Sequence, residues 1–370
     1  MKAKIGCQKF ANASAMTRKL LVKDELSPFS KTRLDVTTGA VSLTTSDGDT
    51  QLEVRFMEDD AVFDAGCVLV PGARLAAFAG ALRGAWLTLE TKGEKLEMSD
   101  DAGTAFKLAT IEDETFPVMA TPKDKAGAAW LPSALLREML RKVKYAADRC
   151  GGRSAVSGVN VKLGNSLFEM TATDGRRLSH VEREVERDNG KDFAFTLANK
   201  AVDTLYDLLA KDEGDVMVQA DAKSAVFMGD EWTLTSKIID AKFPQWAQIV
   251  PKDPENVAEI GREEFLEKLA QAALASGDEL GVTVELKPGL ATFKARSETS
   301  EACATTGRCK VQEGVKGEFT FNPHYLKDAL ESVDVDSFTL AWKDGDGTGP
   351  VVLKCAGLPW LAVIMPMSGK

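Results

Sequence analysis

The side chains that could carry out catalysis are few in this chain and lie far apart. His180 and His324 are its two histidines, and neither lies near a cysteine or serine in a recognised nucleophile motif. The sequence has no GxxxxGKS/T phosphate-binding loop, no GxGxxG after a strand and no HExxH zinc motif. Its six cysteines include no CxxC pair. The sequence therefore predicts a protein with no catalytic residues, no metal and no cofactor.

Two Asp-Gly pairs are the remaining candidates for chemistry. Asp47-Gly48 and Asp174-Gly175 lie 127 residues apart, and Glu298 follows 124 residues after Asp174. A metal-dependent nuclease would need several carboxylates converging on one point, which this set does not supply. Asp-Gly is a strong hairpin-turn signal, so we expect both pairs to be turns rather than metal ligands.

Basic residues with helical spacing suggest binding rather than catalysis. Arg137, Arg141 and Lys144 recur at i, i+4 and i+7, which places them on one side of a helix. Arg149 and Arg153 extend the positive charge into a glycine-containing loop, and Lys200 begins a later helical pattern. A single helix of this kind is often only a solvated surface. A binding site for an anionic polymer requires several such helices to point the same way.

The overall composition sets a condition on that binding. The 370 residues are 44% hydrophobic and 28% charged, which is typical of a globular protein, and the formal net charge is −10. Such an acidic protein should be repelled by nucleic acid unless its positive charge is gathered on one face. No apolar run is long enough for a membrane span, and the N-terminus lacks the apolar core of a signal peptide. We therefore expect a cytoplasmic protein with no membrane partner.

A long period runs through the whole chain. Pro117, Pro244 and Pro366 each follow a strand-like apolar run, at steps of 127 and 122 residues. Other landmarks, including the two Asp-Gly pairs, keep nearly the same step. A repeat this long indicates whole domains rather than a solenoid. We predict three tandem modules, at residues 1–123, 124–251 and 252–370.

Each module shows the same order of elements. An amphipathic helix comes first, as in Leu136, Met139, Leu140 and Val143, and strand-like stretches of alternating polarity follow. A second helical pattern and further strands complete the module. Strands in runs, interrupted by two separated helices, predict an α+β fold in which two helices per module pack on antiparallel sheets.

Three segments resemble one known family. Ala172-Thr173-Asp174-Gly175-Arg176-Arg177-Leu178 is similar to the A-T-D-G-H/R-R-L segment of the bacterial sliding clamps, the beta subunits of DNA polymerase III. The segment from Phe243 to Pro251 and the terminal Val363-Ile364-Met365-Pro366-Met367 resemble two further motifs of that family. The final residues, Ser368-Gly369-Lys370, depart from the family's usual basic and apolar ending.

The resemblance implies a specific architecture. Two chains of this family join head to tail into a closed ring of six domains, with helices lining the hole and sheets forming the wall. The ring encircles double-stranded DNA without sequence specificity and tethers the replicative polymerase. The DNA-facing residues would then be Arg137, Arg141, Lys144, Arg149, Arg153 and Lys200.

The family also implies a cleft for short, apolar, glutamine-led peptides of its partners. These partners are the DNA polymerase III catalytic subunit, the clamp loader, and other polymerases and repair proteins. By matching positions, the cleft residues here are Val156, Thr173, Gly175, Arg176, Leu178, Pro244, Ile249, Val363, Ile364, Met365, Pro366 and Met367. Met365 and Pro366 are expected where a strand leaves the fold, so that removing residues 363–370 should spare the core.

Two other functions are compatible with parts of the sequence. A monomeric clamp-fold adaptor would bind partner peptides without encircling DNA, and its solution mass would be that of one chain. A metal-dependent nuclease would require cleavage that depends on a divalent ion, and its ligands are lacking.

Overall fold

A computed structural model describes residues 1–57, 62–111, 116–122, 127–150, 154–185, 192–251, 254–277, 281–311, 315–343 and 347–367. Within these residues the α+β prediction is confirmed, since six α-helices accompany antiparallel sheets. The helices, two from each predicted module, are α1 (Cys7–Thr17), α2 (Gly72–Ala81), α3 (Ser133–Val143), α4 (Asn199–Leu208), α5 (Arg262–Ala273) and α6 (Pro323–Glu331).

The strands also recur in the three thirds of the chain. The first third contains β1 (Lys2–Gly6), β2 (Lys31–Thr37), β3 (Ala40–Ser46), β4 (Thr50–Met57), β5 (Val62–Asp64), β6 (Gly66–Pro71), β7 (Trp86–Lys92), β8 (Lys95–Asp100) and β9 (Ala105–Ala109). The middle third contains β10 (Gly127–Pro132), β11 (Gly158–Gly164), β12 (Leu167–Thr173), β13 (Arg177–Glu184), β14 (Phe193–Ala198), β15 (Asp215–Ala220), β16 (Ser224–Met228) and β17 (Trp232–Lys237). The last third contains β18 (Asn256–Gly261), β19 (Val282–Lys287), β20 (Leu290–Arg296), β21 (Glu301–Thr306), β22 (Cys309–Val311), β23 (Gly317–Phe321), β24 (Ser337–Trp342), β25 (Val351–Lys354) and β26 (Trp360–Ile364).

Packing divides the chain into two compact units. The first contains Met1–Leu136 and Asp203–Ile238, and it holds a five-stranded sheet (β5-β1-β7-β8-β9) and an eight-stranded sheet (β10-β15-β16-β17-β4-β3-β2-β6). The second contains Arg137–Val185, Ala194–Val202 and Ile239–Lys370. Its sheets have nine strands (β14-β11-β12-β13-β26-β25-β24-β18-β22) and four strands (β21-β20-β19-β23).

The middle third of the sequence contributes to both units. Strand β17 pairs with β4 of the first third, whereas β13 pairs with β26 of the last third. The repeat seen in the sequence and the units seen in the packing are therefore different divisions of the same chain. The module boundaries at residues 123 and 251 stay predictions.

The helices bury the apolar stripes that the sequence predicted. On α3, Leu136, Met139, Leu140 and Val143 are fully buried. On α5, Phe265 contacts Phe293 edge-on, with ring centroids 4.9 Å apart. Because helices of about eleven residues are marginal alone in water, this burial against the sheets is what stabilises them.

Both Asp-Gly pairs are hairpin turns, as predicted. Asp47 lies between β3 and β4, and its carboxylate accepts the backbone N–H groups of Asp49 and Thr50. Asp174 lies between β12 and β13 and accepts those of Arg176 and Arg177 in the same way. The following glycine has a positive φ in each turn, +90° at Gly48 and +85° at Gly175, which a residue with a side chain adopts only with strain.

Candidate functional site

Segments from distant parts of the sequence meet in the second compact unit. Strand β13 pairs with β26 in antiparallel register, with Leu178 opposite Val363. Beyond the end of β26, the N–H of Met365 donates to the carbonyl of Arg176 at 2.9 Å. Backbone hydrogen bonds thus fix the Asp-Gly turn against the C-terminal segment. The positions of these two segments therefore do not depend on their side chains.

The turn itself is closely defined. The hydroxyl of Thr173 donates to the carbonyl of Arg177 at 2.7 Å and accepts the N–H of Gly175 at 3.1 Å. Gly175 and the side chain of Arg176 are exposed. A Cβ added at Gly175 would meet open space, so the glycine is required by its φ and not by crowding.

An apolar floor lies next to this turn. Leu178, Val363, Ala341 and Val352 form one buried cluster, and Trp246 packs against it from the Phe243–Pro251 segment. Val250 and Leu361 pack against the same cluster. All three segments that carry the family resemblance therefore meet on one surface. No single segment contains this surface, which is why it could be anticipated only from the resemblance.

The predicted cleft residues differ in how far a ligand could reach them. Pro244 is exposed, and 51% of Ile249 is exposed although its side chain is apolar. Met365 and Pro366 are half-buried, and Met367 is exposed. These residues present accessible apolar surface, whereas Leu178 and Val363 form the floor beneath it.

Two predicted cleft residues, Ile364 and Val156, are not part of the buried cluster at Leu178. Ile364 is buried and stands opposite Arg177, so by strand alternation it points to the other face of the sheet from Val363. Val156 lies in the turn before β11, where its carbonyl accepts the N–H of Asp148 at 3.0 Å. Their part in the cleft stays a prediction.

Arg177 is a positioning residue that the sequence did not reveal. Its guanidinium donates to Asp174 at 3.0 Å and to Asp328 of α6 at 2.6 Å. It also lies over the ring of Tyr325, 4.5 Å from the ring centroid. The sequence did contain one signal: Arg177 occupies the same alternating positions of β13 as its buried residues. A buried arginine needs acidic partners, and Asp174 stands three residues before it. Arg177 therefore anchors the turn to a helix.

We expect Arg177→Met to weaken both the fold and ligand binding at the turn. Removing the guanidinium leaves the carboxylates of Asp174 and Asp328 without their partner, at a cost of about 2 kcal/mol, because Asp328 remains partly hydrated. The exposed neighbour is the matched control. Arg176→Ala should change peptide affinity while leaving the urea midpoint unchanged. Equal midpoints for both variants would contradict this role of Arg177.

His180 supports the apolar floor from the same strand. Its ring packs on Trp246 with centroids 4.2 Å apart, and its Nδ1 lies 2.9 Å from the hydroxyl of Thr171. Burial lowers the pKa of His180, and the nearby carboxylate of Glu182 opposes that shift only in part. The ring is therefore neutral near pH 7, so Trp246 rests on an uncharged surface.

A hydrogen bond connects two of the segments that carry the predicted basic residues. Asn199, which begins α4, donates from its side-chain amide to the carbonyl of Asp148 at 2.7 Å. This bond joins the residue before Arg149 to the residue before Lys200, and both basic side chains are exposed. Arg153 lies outside the described residues.

The other basic residues are less accessible. Arg137, Arg141 and Lys144 are half-buried, and Arg141 forms an ion pair with Asp334. Lys142, on the same helix, is almost completely buried and pairs with Glu138. The helical spacing alone could not separate these environments, since it gives the side of the helix but not the acidic neighbours from other elements.

Metal ligands and membrane-spanning helices are two further features that would indicate a function. Among the described residues, no group of three or more His, Cys, Asp or Glu side chains is arranged to hold a metal ion. Within the same residues, no helix combines the length and apolar character needed to cross a membrane.

Comparison with known proteins identifies the arrangement. Residues 130–245 match the profile of the DNA polymerase III beta subunit, central domain, and residues 247–368 match that of its C-terminal domain. The chain is 24% identical to the beta sliding clamp of Chlamydia pneumoniae over 325 residues, which covers 86% of each chain. It is 24% identical to that of Vibrio cholerae over 337 residues, covering 90% of this chain and 87% of the relative.

The fold is shared with solved structures. The crystal structure of the DNA polymerase III subunit beta from Pseudomonas aeruginosa superposes with a TM-score of 0.93 at 21% identity, and that of the beta subunit from Thermotoga maritima with 0.90 at 20% identity. Both alignments cover 100% of each chain. The whole chain, and not only the matched two thirds, therefore has this fold.

Proposed function

The chain belongs to the DNA polymerase III beta subunit family, the sliding clamps, and we propose that two copies close into a ring that holds partner proteins on duplex DNA. Members of this family are processivity factors of a polymerase and not enzymes. The proposal is carried by one observation: the three motif segments meet on one surface. There the N–H of Met365 donates a hydrogen bond to the carbonyl of Arg176, and Trp246 packs on the cluster that contains Leu178.

Two sheet edges in the described part of the chain support a head-to-tail dimer. Strand β9 is an edge of the five-stranded sheet, and β21 is an edge of the four-stranded sheet. The backbone N–H and C=O groups of an edge strand can pair with another chain. A closed symmetric assembly can pair both of these edges at the same time. We propose that β9 of one copy lies beside β21 of the other.

Apolar side chains accompany both edges. Leu274 follows the last residue of α5, the helix that packs on β21, and 87% of it is exposed. Phe106 of β9 is half-buried and stacks on Phe78 of α2 with centroids 4.2 Å apart. An exposed leucine at one edge and a phenylalanine pair at the other are the kind of apolar contact that would be buried when the ring closes.

Charges near the two edges are of opposite sign. Lys95 and Lys107 are exposed on β8 and β9, whereas Glu298 and Glu301 are exposed at the start of β21 and in the turn before it. Lys107 also pairs with Glu97 within its own sheet, and Glu301 pairs with Arg296 of β20. Lys95 near one edge and Glu298 near the other favour the heterologous contact over contact between like edges, which would bring like charges together.

The basic residues of α3 and α4 would face the DNA. Arg149 and Lys200 are the exposed pair that the structure brings close through Asp148 and Asn199. Contacts to phosphates carry no sequence information and weaken with salt, as a protein that slides along DNA requires. They also satisfy the condition set by the net charge of −10, namely that the positive charge be gathered where the DNA passes.

The proposed partners bind at the cleft. We propose that the DNA polymerase III catalytic subunit, the clamp loader, and other polymerases and repair proteins insert an apolar peptide between Ile249 and Met365. Methionine is flexible and polarizable, which allows one surface to accept several related peptides.

Retention on circular DNA tests the ring directly. The full-length protein, loaded on nicked circular duplex by a clamp loader, should stay bound through gel filtration and should be lost after the circle is cut at one site. A protein that binds DNA by contacts alone would be retained equally on both forms. A monomeric adaptor, which the comparisons do not favour, would be retained on neither form.

We expect Arg149→Ala with Lys200→Ala to weaken binding to primed DNA and to flatten its salt dependence. Each lost phosphate contact should reduce the log–log slope by roughly 0.9, so the double variant should lose about 1.8. The measurement is affinity for primed duplex across a series of salt concentrations. Lys162→Ala is the control, since Lys162 of β11 is paired with Glu169 of β12, and the slope of this variant should match that of the unaltered protein.

A further inference from the structure

A groove of about 730 Å³ lies in the second unit beside the C-terminal segment. Its lining includes residues of β19 and β23, the residues after β24, and Met367. This volume falls within the range of roughly 300–1,000 Å³ that is typical of ligand sites. None of the predicted cleft residues other than Met367 lines it, so the groove is a separate feature from the apolar floor at Leu178.

Met367 connects the groove to the cleft. Its N–H donates to the carbonyl of Thr320 on β23 at 2.7 Å, which holds the C-terminal segment along that strand. Met365, two residues earlier, is bonded to the Asp-Gly turn of the cleft. The C-terminal segment therefore runs from the Asp-Gly turn of the cleft to the wall of the groove, and Met367 belongs to both.

The close approach of one loop shapes the groove. Gly347 has a φ of +75°, and a Cβ added to it would stand 2.3 Å from the carbonyl oxygen of Glu318. The backbone at Gly347 therefore packs directly against the backbone at Glu318 in the wall of the groove. The open space of the groove does not depend on a mobile side chain there.

The charges of the groove are predominantly positive. Four lysines line it, at positions 287, 294, 316 and 343, against two glutamates at 285 and 318. Glu285 is already paired, since Lys294 bonds to it and Lys287 lies 3.6 Å away. Glu318 adds to the negative charge near Lys294.

Lys316 and Lys343 are available to a ligand. Both side chains are exposed, and neither has an acidic partner among the residues that the structure describes. Exposed positive charge attracts an anionic ligand, and a groove focuses that attraction more than a flat surface does. The buried Trp342 and Phe319 beneath them, with centroids 5.4 Å apart, make the floor rigid.

We propose that this groove binds an acidic segment that flanks the apolar motif of a partner peptide. The proposal rests on the proposed function, since it extends the cleft by a second region that recognises charge. Among partners with the same apolar motif, those with more acidic residues beside the motif would then bind more tightly. The occupant is a peptide carboxylate because the groove continues the peptide cleft through Met367.

Fluorescence anisotropy with four labelled peptides tests the proposal on the full-length protein. One carries only a glutamine-led apolar motif, two carry four added glutamates at either the N-terminal or the C-terminal side, and one carries serines in their place. We expect the acidic extension on one side to tighten binding about three- to tenfold over serine in low salt, and the gain to disappear near 1 M salt.

Charge reversal locates the effect. Lys316→Glu with Lys343→Glu should abolish the gain while leaving affinity for the short peptide unchanged. Lys162→Glu with Lys310→Glu changes the net charge equally and should preserve the gain. If the short peptide binds but neither acidic extension exceeds serine, the groove proposal is wrong and the cleft stands. If the short peptide does not bind at all, the cleft itself is wrong and the groove proposal fails with it.

Discussion

Leu274→Asp should convert the protein from a dimer into a monomer. In the proposed ring, Leu274 of each copy is buried against the β9 edge of the other, so the ring contains two identical contacts. Placing a carboxylate in an apolar contact costs about 3 kcal/mol, and both contacts are affected. The dissociation constant of the dimer should therefore rise by roughly 10⁴-fold, since each 1.4 kcal/mol is tenfold.

Sedimentation at micromolar concentration measures this effect. The unaltered chain should sediment at twice 39.9 kDa and the variant at 39.9 kDa, with the same thermal midpoint for the fold of each unit. Leu26→Asp is the matched control, since Leu26 is 95% exposed in a turn of the first unit and lies on no sheet edge. A dimeric Leu274→Asp variant would refute this placement of the interface, and a monomeric Leu26→Asp variant would show that the assay reports general damage.

The sequence predicted the elements well because local rules determine them. The apolar stripe of α3 and the turn at Asp174-Gly175 depend on spacing and on glycine, both of which are visible in the chain. The repeat at Pro117, Pro244 and Pro366 likewise predicted the pairs of helices in each third. The pairing of β13 with β26 is different, because these strands are almost two hundred residues apart and no local pattern specifies their register.

The electrostatic environment of the site could be predicted least. Helical spacing treats Arg137, Arg141 and Lys144 as equivalent, yet Arg141 is paired with Asp334 from a distant loop. Arg177 was visible as part of a motif, but its role depends on Asp328 and Tyr325 of α6. The partner of a charged side chain is a neighbour in space and is often distant in sequence. It can therefore be identified only when the arrangement of the strands and helices is known.

The structure also changes how the C-terminus should be tested. Val363 and Ile364 belong to β26 and are almost fully buried, so the expectation that removing residues 363–370 would spare the core is wrong. Strand β26 links β13 to β25, and shortening it would break the nine-stranded sheet. The part of that expectation which placed Met365 and Pro366 beyond the strand end is confirmed.

Ile249→Ala with Met365→Ala should abolish partner binding while the ring still forms. Both side chains are accessible and lie beyond the regular strands, so trimming them removes ligand contacts without opening a cavity. Each anchor of a peptide in an apolar cleft contributes on the order of 1–3 kcal/mol, which predicts a combined loss of roughly a hundredfold or more. Polymerase stimulation on primed circular DNA should fall in parallel.

Two comparisons distinguish this from general damage. Met228→Ala removes a methionine that is 40% exposed on β16 and should leave peptide affinity unchanged. Leu178→Ala should lower stability by about 2–4 kcal/mol as well as affinity, because Leu178 belongs to the buried floor. Anisotropy with the short glutamine-led peptide and urea unfolding separate the two effects. Undiminished binding by the Ile249/Met365 variant would mean that partners bind elsewhere on the clamp, since this change removes accessible apolar surface from the cleft while leaving its floor intact.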